Sequence, residues 1–313
     1  MTAHNGTYYL IDGSIYIFQS HFSPHVECFD VDGSDLSAVY GFMQFLLQFL
    51  RRVKPNRIAV ALDESLFSGF RHGLCPNYKS NRELPDENLA MQLKGCREIC
   101  SILGMASYAS KKYEADDIIG TLSVRMSDLL PGDPALCIVT RDKDLSQLLK
   151  TDKDYMWDYS GNRRRYRADI KEEFGVSPEQ FADYLGLVGD AVDCITGVPG
   201  VGPVKAKELL QNFVSMDGIY ENLDAVADLS LRGAAGLALK LEAHQAEARL
   251  SRELATIICN ASDLHEGFAH AVPSSLEVAD IDFSSFDEFL SKYKFTKNDS
   301  AYLLSVAEQS SNR

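Results

Sequence analysis

Three apolar runs of strand length, at 8–11, 57–62 and 135–140, lie in the first half of the chain. The segments around them show apolar residues at helical spacing, at 39–53, 87–103 and 114–130. Strands that alternate with helices predict a parallel sheet, in which the carboxyl ends of the strands share one edge. Aspartates follow each run at that end: Asp12, Asp63, Asp142 and Asp144. We therefore predict an α/β fold with an acidic edge.

Five further carboxylates form similar tight groups. They are Glu114, Asp116 and Asp117, which open a predicted helix, and Asp190 and Asp193, which are neighbours on a predicted helical turn. Each group alone has an ordinary explanation, because acids are favoured in the first turn of a helix. For the group at 114–117 taken by itself, helix capping and a metal site both stay open.

Together, the nine carboxylates indicate a site for divalent cations. Carboxylates gathered in one crevice repel each other unless cations or raised pKa values compensate. Oxygen ligands without His or Cys favour Mg²⁺ or Mn²⁺ over zinc. Two such ions, about 3.5–4 Å apart, can activate water and stabilise the leaving oxygen of a phosphodiester. The pattern predicts a metal-dependent phosphodiesterase.

The net charge of −14 argues at first against a nucleic-acid partner, because Lys and Arg dominate phosphate binding. Much of the acidity, however, lies in the nine carboxylates and after about residue 215. Basic residues gather between 51 and 112 and again at 163–167, the second strand of a predicted hairpin. We expect basic surfaces that bind DNA, with solvated faces as the alternative for Arg51, Arg52 and Lys54.

The sequence carries no sign of a membrane or secreted protein. It lacks the roughly 20 consecutive apolar residues of a membrane span and the start of a signal peptide. Its seven cysteines are scattered without zinc-binding spacing. We expect a cytoplasmic monomer with reduced, mostly structural cysteines and no membrane partner.

A glycine-rich loop, GVPGVGP at 197–203, leads into a predicted helix over 204–213. Its glycines let the backbone approach another surface, and the first amides of the helix form a phosphate-binding corner. A simple tight turn is the alternative. The residues expected to bind DNA here are Gly197, Val198, Gly200, Val201, Gly202, Lys205 and Lys207. The chain also changes character near 180, so we predict an α/β domain over 1–180 and a helical region over 181–313.

The motifs resemble those of the 5′ nuclease family, which comprises bacterial and phage 5′–3′ exonucleases, the nuclease domain of DNA polymerase I and the flap endonucleases. In the family's order the chain carries, among others, LIDGS (10–14), YEADD (113–117), VTRDKDLSQLL (139–149) and GVPGVGPVKAKELL (197–210). The resemblance covers about 7–260 and implies a stand-alone member. It also implies a PIN-like fold: a mixed, mostly parallel sheet flanked by helices, with a helical arch at 66–97 and a helix-hairpin-helix element at 184–213.

The resemblance assigns roles to individual residues. One divalent ion would be organised by Asp12, Asp63, Glu114 and Asp116, and the second by Asp116, Asp117, Asp142, Asp144, Asp190 and Asp193. In the arch, Lys79 and Arg82 would clamp the scissile phosphate, Tyr78 would contact a base, and Arg71 would make a further phosphate contact. Carbonyl groups of the glycine-rich loop would hold K⁺ against a duplex phosphate.

Two positions depart from the family's pattern. Cys194 replaces a frequent Asn after the last metal aspartate, which weakens an expected hydrogen bond near the metal. Val204 replaces a frequent Lys, although Lys205 is adjacent and could substitute. The expected function is a structure-specific 5′ nuclease acting on DNA with a 5′ overhang or flap next to duplex. A non-catalytic branched-DNA binding protein and a PIN-like ribonuclease are the alternatives.

Overall fold

The structure is a computed structural model that describes residues 6–231 and 233–311. The strands are β1 (Thr7–Asp12), β2 (Ile58–Asp63), β3 (Ala106–Ser110), β4 (Ala135–Val139), β5 (Tyr155–Asp158) and β6 (Arg163–Tyr166). The α-helices are α1 (Gly13–His21), α2 (Ser37–Val53), α3 (Phe70–Leu74), α4 (Glu87–Ile102), α5 (Ala115–Leu129), α6 (Arg167–Phe174), α7 (Phe181–Val188), α8 (Pro203–Phe213), α9 (Met216–Glu221), α10 (Leu223–Ala227), α11 (Ala234–Ala243), α12 (Gln245–Ala255), α13 (Phe283–Lys292) and α14 (Lys297–Ser311).

The chain forms two compact units. Unit 1 comprises 1–64, 84–140 and 259–313, and unit 2 comprises 65–83 and 141–258. In these units 141–180 belongs to unit 2 and the C-terminal segment to unit 1, and the division near 180 stays a prediction. The sequence pattern follows chain order, whereas the units follow contacts between distant segments.

Unit 1 contains the parallel strands, in the spatial order β3-β2-β1-β4. Helix α5 packs against β1, β2 and β3, and α2 packs against α1, α4 and α14. The residues of β1, β2 and β4 are almost all buried, as expected of parallel strands covered by helices, whereas those of β3 are mostly half-buried. Phe42 and Phe49 of α2 are fully buried, and the ring of Phe49 meets that of Tyr9 edge-on at 5.6 Å. The apolar stripe of α2 thus covers the sheet.

Unit 2 contains the antiparallel pair of β5 and β6, which confirms the predicted basic hairpin. Helices α7, α8 and α12 pack together in this unit. Four parallel strands and one antiparallel pair confirm the prediction of a mixed, mostly parallel α/β arrangement. The predicted helix at 87–103 is confirmed by α4, whose first turn is capped by the Asp86 carboxylate.

No helix among residues 6–231 and 233–311 is both long enough and apolar enough to cross a membrane.

Candidate active site

Two predicted metal ligands leave neighbouring strands of unit 1. Asp12 ends β1 and Asp63 ends β2, and Asp12 lies opposite Ala61 in the parallel register. Asp12 is only 4% exposed, and its Oδ2 accepts a hydrogen bond from Thr140 Oγ1 at 3.0 Å. Adjacent parallel strands therefore deliver two carboxylates to one edge, as the sequence predicted.

The next residue, Gly13, lets this edge form. A β-carbon at Gly13 would lie 2.8 Å from side-chain atoms of Val60 and Leu62 and 3.0 Å from the Ala61 carbonyl oxygen. A side chain here would require the side chains of Val60 and Leu62 to shift. The glycine of the LIDGS motif is thus explained by close packing against β2 rather than by a turn.

The acids at 114–117 serve as a helix cap in unit 1. Glu114 is the N-cap of α5, and its amide donates to Asp117 Oδ2 at 3.1 Å. Both side chains are buried, whereas Asp116 is half-buried. The structure therefore confirms the capping interpretation for Glu114 and Asp117, and the helix N-terminus favours their negative charge. A metal-binding role for the group stays a prediction.

In unit 2, a lysine lies between two of the predicted ligands, and a third predicted ligand is bonded to one of them. Lys143 Nζ is 2.6 Å from Asp190 Oδ2 and 3.1 Å from Asp144 Oδ1. The amide of Asp144 donates to Asp142 Oδ1 at 2.9 Å. Thus Asp144 and Asp190 share one ammonium group, and Asp142 accepts a hydrogen bond from the Asp144 amide.

Burial dominates the electrostatics of this group. Desolvation, followed by the charge of Asp142, raises the pKa of Asp144 to about 7. Although burial opposes the shift, the hydrogen bond from Lys143 lowers the pKa of Asp190. Asp144 Oδ1 lies 3.1 Å from Lys143 Nζ, within ion-pair distance, but this buried oxygen accepts no hydrogen bond of good geometry. A buried, poorly compensated carboxylate oxygen fits a cation ligand.

The loop after Asp190 is closed by its own backbone. Asp190 and Ile195 exchange two backbone hydrogen bonds of 2.8 Å, and Asp190 Oδ1 accepts from the Val192 amide at 2.8 Å. Cys194 lies in this loop with φ 57°, in the left-handed region. The family's frequent Asn would adopt this conformation at lower cost than Cys, which gives the departure at Cys194 a backbone consequence.

The predicted arch residues bind Asp193 within unit 2. Arg82 Nη2 lies 2.8 Å from Asp193 Oδ1, and Lys79 Nζ lies 3.6 Å from Asp193 Oδ2. The Tyr78 hydroxyl donates to Asp193 Oδ2 at 3.5 Å, and Lys79 Nζ lies 5.0 Å from the centre of the Tyr78 ring. The structure therefore groups two predicted phosphate-binding cations with a predicted metal ligand.

Arg71 occupies a different environment from the one expected of a phosphate contact. Its side chain is buried, with Nε donating to the Leu254 carbonyl oxygen at 2.8 Å and Nη2 to the Thr256 carbonyl oxygen at 2.7 Å. These carbonyl groups lie at the C-terminal end of α12. The residue caps a helix end, and its phosphate contact stays a prediction.

The glycine-rich loop of unit 2 joins α7 to α8. Gly197 has φ 64°, and a β-carbon there would lie 2.4 Å from the Gly189 nitrogen, so only glycine fits. The Val198 amide donates to the Leu187 carbonyl oxygen at 2.8 Å. Lys205 Nζ donates to the Gly200 carbonyl oxygen at 3.0 Å. The backbone of the loop at Gly197 and Val198 therefore packs directly against the end of α7, a contact that a simple turn would not need.

The remaining predicted DNA-binding residues differ in exposure. Val198 and Val201 are buried, Gly200 and Lys207 are exposed, and Lys205 is half-exposed. Val204, where the family often has Lys, is 75% exposed on the first turn of α8. A lysine at 204 would therefore have faced solvent.

Across residues 6–231 and 233–311, no group of three or more His, Cys, Asp or Glu side chains forms a ready-made cluster for a metal ion. In unit 2 the acids are instead held by cationic side chains. Lys143 was not identified from the sequence, and neither was Thr140 beside Asp12. A signal for Lys143 existed, because it is a cation between two predicted ligands in Asp142-Lys143-Asp144.

Two family models match the chain. Residues 7–175 match the "5′-3′ exonuclease, N-terminal resolvase-like domain", and residues 176–274 match the "5′-3′ exonuclease, C-terminal SAM fold". A 5′-3′ exonuclease of Buchnera aphidicola (subsp. Acyrthosiphon pisum) is 31% identical over 253 residues, which are 81% of this chain and 87% of that protein. DNA polymerase I of Bacillus subtilis is 35% identical over 260 residues, which are 80% of this chain and 28% of the polymerase.

Solved structures share the fold. The T5 5′-exonuclease with divalent metal ions (zinc) bound gives a TM-score of 0.63 at 18% identity, over 96% of this chain and 99% of that one. The catalytic core of Rad2 in complex with DNA substrate gives 0.62 at 15% identity, over 97% and 93% of the two chains. At these identities the likeness establishes the fold alone.

Proposed function

The chain belongs to the 5′–3′ exonuclease family, and from that premise we propose that it is a structure-specific 5′ nuclease. It hydrolyses DNA phosphodiesters near the junction of a 5′ single strand with duplex and leaves 5′-phosphate and 3′-hydroxyl ends. Both exonuclease and flap endonuclease activities belong to this reaction. DNA polymerase I relatives match only through about a quarter of their length, so no polymerase activity is proposed.

One observation carries the proposal: all nine carboxylates are present in a chain that both family models match over 7–274. Asp12 and Asp63 at adjacent strand ends, and Asp144 with its raised pKa, support a role in holding cations. Burial and the charge of Asp142 raise the pKa of Asp144, and a bound divalent cation would stabilise its ionised form.

The chain's own residues would perform the remaining tasks. Bound divalent ions would supply an activated water and neutralise charge on the phosphate. The nine acids would hold the ions, with Mg²⁺ or Mn²⁺ as the natural match for oxygen ligands. Lys79 and Arg82 would exchange their contacts with Asp193 for the phosphate of the substrate. Tyr78, which precedes Lys79, would contact a base. The predicted phosphate contact of Arg71 would require its guanidinium to leave the carbonyl groups of Leu254 and Thr256.

The glycine-rich loop would bind the duplex part of the substrate. Its amides and the N-terminus of α8 suit a phosphate, and Lys205 and Lys207 add positive charge. K⁺ is the proposed ion at this loop. Because Lys205 already donates to the Gly200 carbonyl oxygen, K⁺ would use other carbonyl groups or displace this lysine. We propose a monomer that acts on DNA in the cytoplasm.

Cleavage mapping on end-labelled 5′-flap, blunt and nicked duplexes, with and without Mg²⁺, tests the proposal. We expect Mg²⁺-dependent cleavage near the junction, and product length separates the two activities. Asp142→Ala should abolish cleavage while DNA binding persists. The matched control is Asp128→Ala, which removes an exposed acid of α5 and should cleave normally.

Equal cleavage by wild type and Asp142→Ala would contradict the proposed mechanism. DNA binding without turnover would favour the non-catalytic binding protein. A duplex with an RNA overhang in place of the DNA overhang distinguishes the ribonuclease alternative, which requires preferential cleavage of the RNA.

A further inference from the structure

Lys143 holds two of the proposed metal ligands simultaneously. Its Nζ lies 2.6 Å from Asp190 Oδ2 and 3.1 Å from Asp144 Oδ1, and all three residues belong to unit 2. The two carboxylates are 8% and 13% exposed, whereas the lysine side chain is 37% exposed. A partly exposed lysine side chain therefore pairs with two largely buried carboxylates.

A divalent cation would need the same oxygen atoms. Mg²⁺ binds carboxylate oxygens at about 2.0–2.1 Å, so an ion on Asp190 Oδ2 or Asp144 Oδ1 would lie close to the Lys143 ammonium, which is 2.6 and 3.1 Å from these atoms. Like charges at such a separation also repel strongly in a partly buried site. The ammonium and the metal ion are therefore alternative partners for Asp144 and Asp190.

The lysine side chain suits a reversible role. A lysine has four rotatable methylene groups, and 37% of this side chain is exposed to solvent. Asp190 and Asp144 are less mobile, because Asp190 accepts the Val192 amide and the Asp144 backbone amide is bonded to Asp142. Cation exchange can therefore proceed by movement of Lys143 while the acids stay in place.

We propose that Lys143 is a displaceable counter-cation of the metal site. Without metal it neutralises Asp144 and Asp190 and keeps this part of unit 2 folded. A divalent ion must displace its ammonium, so Lys143 lowers the affinity of the site for metal. This inference rests on the proposed function, because it takes Asp144 and Asp190 as metal ligands.

Manganese binding to the full-length protein without DNA provides the first test. Lys143→Met keeps the length of the side chain and removes its charge. We expect calorimetric titration to show at least one Mn²⁺ bound roughly tenfold more tightly than in wild type, as the loss of a partly buried ion pair implies. In excess chelator the variant should melt at a lower temperature than wild type. Addition of Mn²⁺ should raise the melting temperature of the variant and remove this difference.

Two variants serve as controls. Lys171→Met removes an exposed lysine of α6 and should change neither the affinity nor the melting temperature. Lys143→Arg keeps the charge and should bind Mn²⁺ much as wild type does. Unchanged or weaker Mn²⁺ binding by Lys143→Met would overturn the inference.

Amine labelling of wild-type protein gives a second readout that does not depend on the variant's folding. Mn²⁺ should release the Lys143 ammonium, so its acetylation rate, followed by peptide mass spectrometry, should rise several-fold while that of Lys171 stays constant. An unchanged rate at saturating Mn²⁺ would overturn the inference.

The cleavage assay keeps the two proposals separate. If Mn²⁺ does not compete with the Lys143 ammonium but the protein cleaves flap DNA, the role of Lys143 is wrong and the nuclease proposal stands. If Mn²⁺ does compete but the protein cleaves no DNA, the role of Lys143 stands and the nuclease proposal is wrong.

Discussion

Arg71 and Leu254 are joined by a 2.8 Å hydrogen bond from the buried guanidinium to a backbone carbonyl at the end of α12, although 183 positions separate them in the sequence. A second bond reaches the Thr256 carbonyl oxygen at 2.7 Å. Arg71 thereby ties the segment after β2 to the last helix of unit 2. Its surroundings are those of a structural residue.

We predict that Arg71→Met lowers the free energy of unfolding by about 2–4 kcal/mol, because buried carbonyl groups lose charged donors. Urea denaturation measures the change. Arg97→Met, which removes an exposed ion pair with Glu64, should cost less than about 1 kcal/mol. Normal stability with defective cleavage in Arg71→Met would instead support the predicted phosphate contact.

Thr140→Val should lower both stability and activity. The substitution keeps the side-chain shape but removes the donor 3.0 Å from buried Asp12 Oδ2. A hydrogen bond to a carboxylate contributes about 1–3 kcal/mol, so urea denaturation should show a loss in that range. Thr121→Val removes an acceptor from a neutral amide and should cost less. Equal losses in both variants would show that Asp12 does not depend on Thr140.

Arg82→Met should separate activity from stability. The side chain is 43% exposed, so loss of its pair with Asp193 should change the free energy of unfolding by less than about 1 kcal/mol. Flap cleavage under single-turnover conditions should fall on the order of 100-fold, as for loss of one donor to a reacting phosphate. Arg249→Met, which loses an exposed pair with Asp217, is the control and should cleave nearly normally. A comparable defect in both variants would point to a general charge effect.

Cys194→Asn should stabilise the protein. Its φ of 57° is unfavourable for most residues but tolerated by Asn, so a gain of about 0.5–1 kcal/mol is expected in chemical denaturation. Cys194→Val, with a β-branched side chain in the same conformation, should lose about 1–2 kcal/mol. The reverse ranking would mean that contacts of the cysteine sulfur outweigh backbone strain.

The buried thiols should resist alkaline activation. Burial raises the pKa of Cys100 to about 12 and that of Cys96 well above the ordinary value. Since the thiolate is the reactive form, both stay protonated and unreactive between pH 7 and 9 and lose the proton only near or above pH 12. Ellman's reagent should first label Cys75, Cys194 and Cys259, which are partly exposed, and should reach all seven cysteines only after denaturation. Rapid labelling of Cys96 or Cys100 in the native protein would contradict this assignment.

The local features of the fold could be predicted from the sequence. The apolar runs became β1, β2 and β4, and the parallel register placed Asp12 and Asp63 at adjacent ends, because alternation and strand direction are encoded within a few residues. The glycines at 197–202 likewise predicted a close approach of the backbone, and Gly197 lies against Gly189 where only glycine fits, while DNA binding by this loop stays a prediction. The ordered motifs then sufficed to identify the family.

Only the tertiary structure decided which side chains neutralise the acids. Lys143 reaches across 47 positions to Asp190, and Arg82 across 111 to Asp193, so neither partner can be read from nearby residues. The structure also placed Arg71 in a buried helix cap and brought 141–180 into unit 2. All these contacts depend on which distant segments pack together. That packing is set by the free energy of the whole chain and not by the preferences of neighbouring residues. The sequence by itself therefore determined the family, every strand except β3 and the candidate ligands, and the three-dimensional structure determined the cations that pair with those ligands.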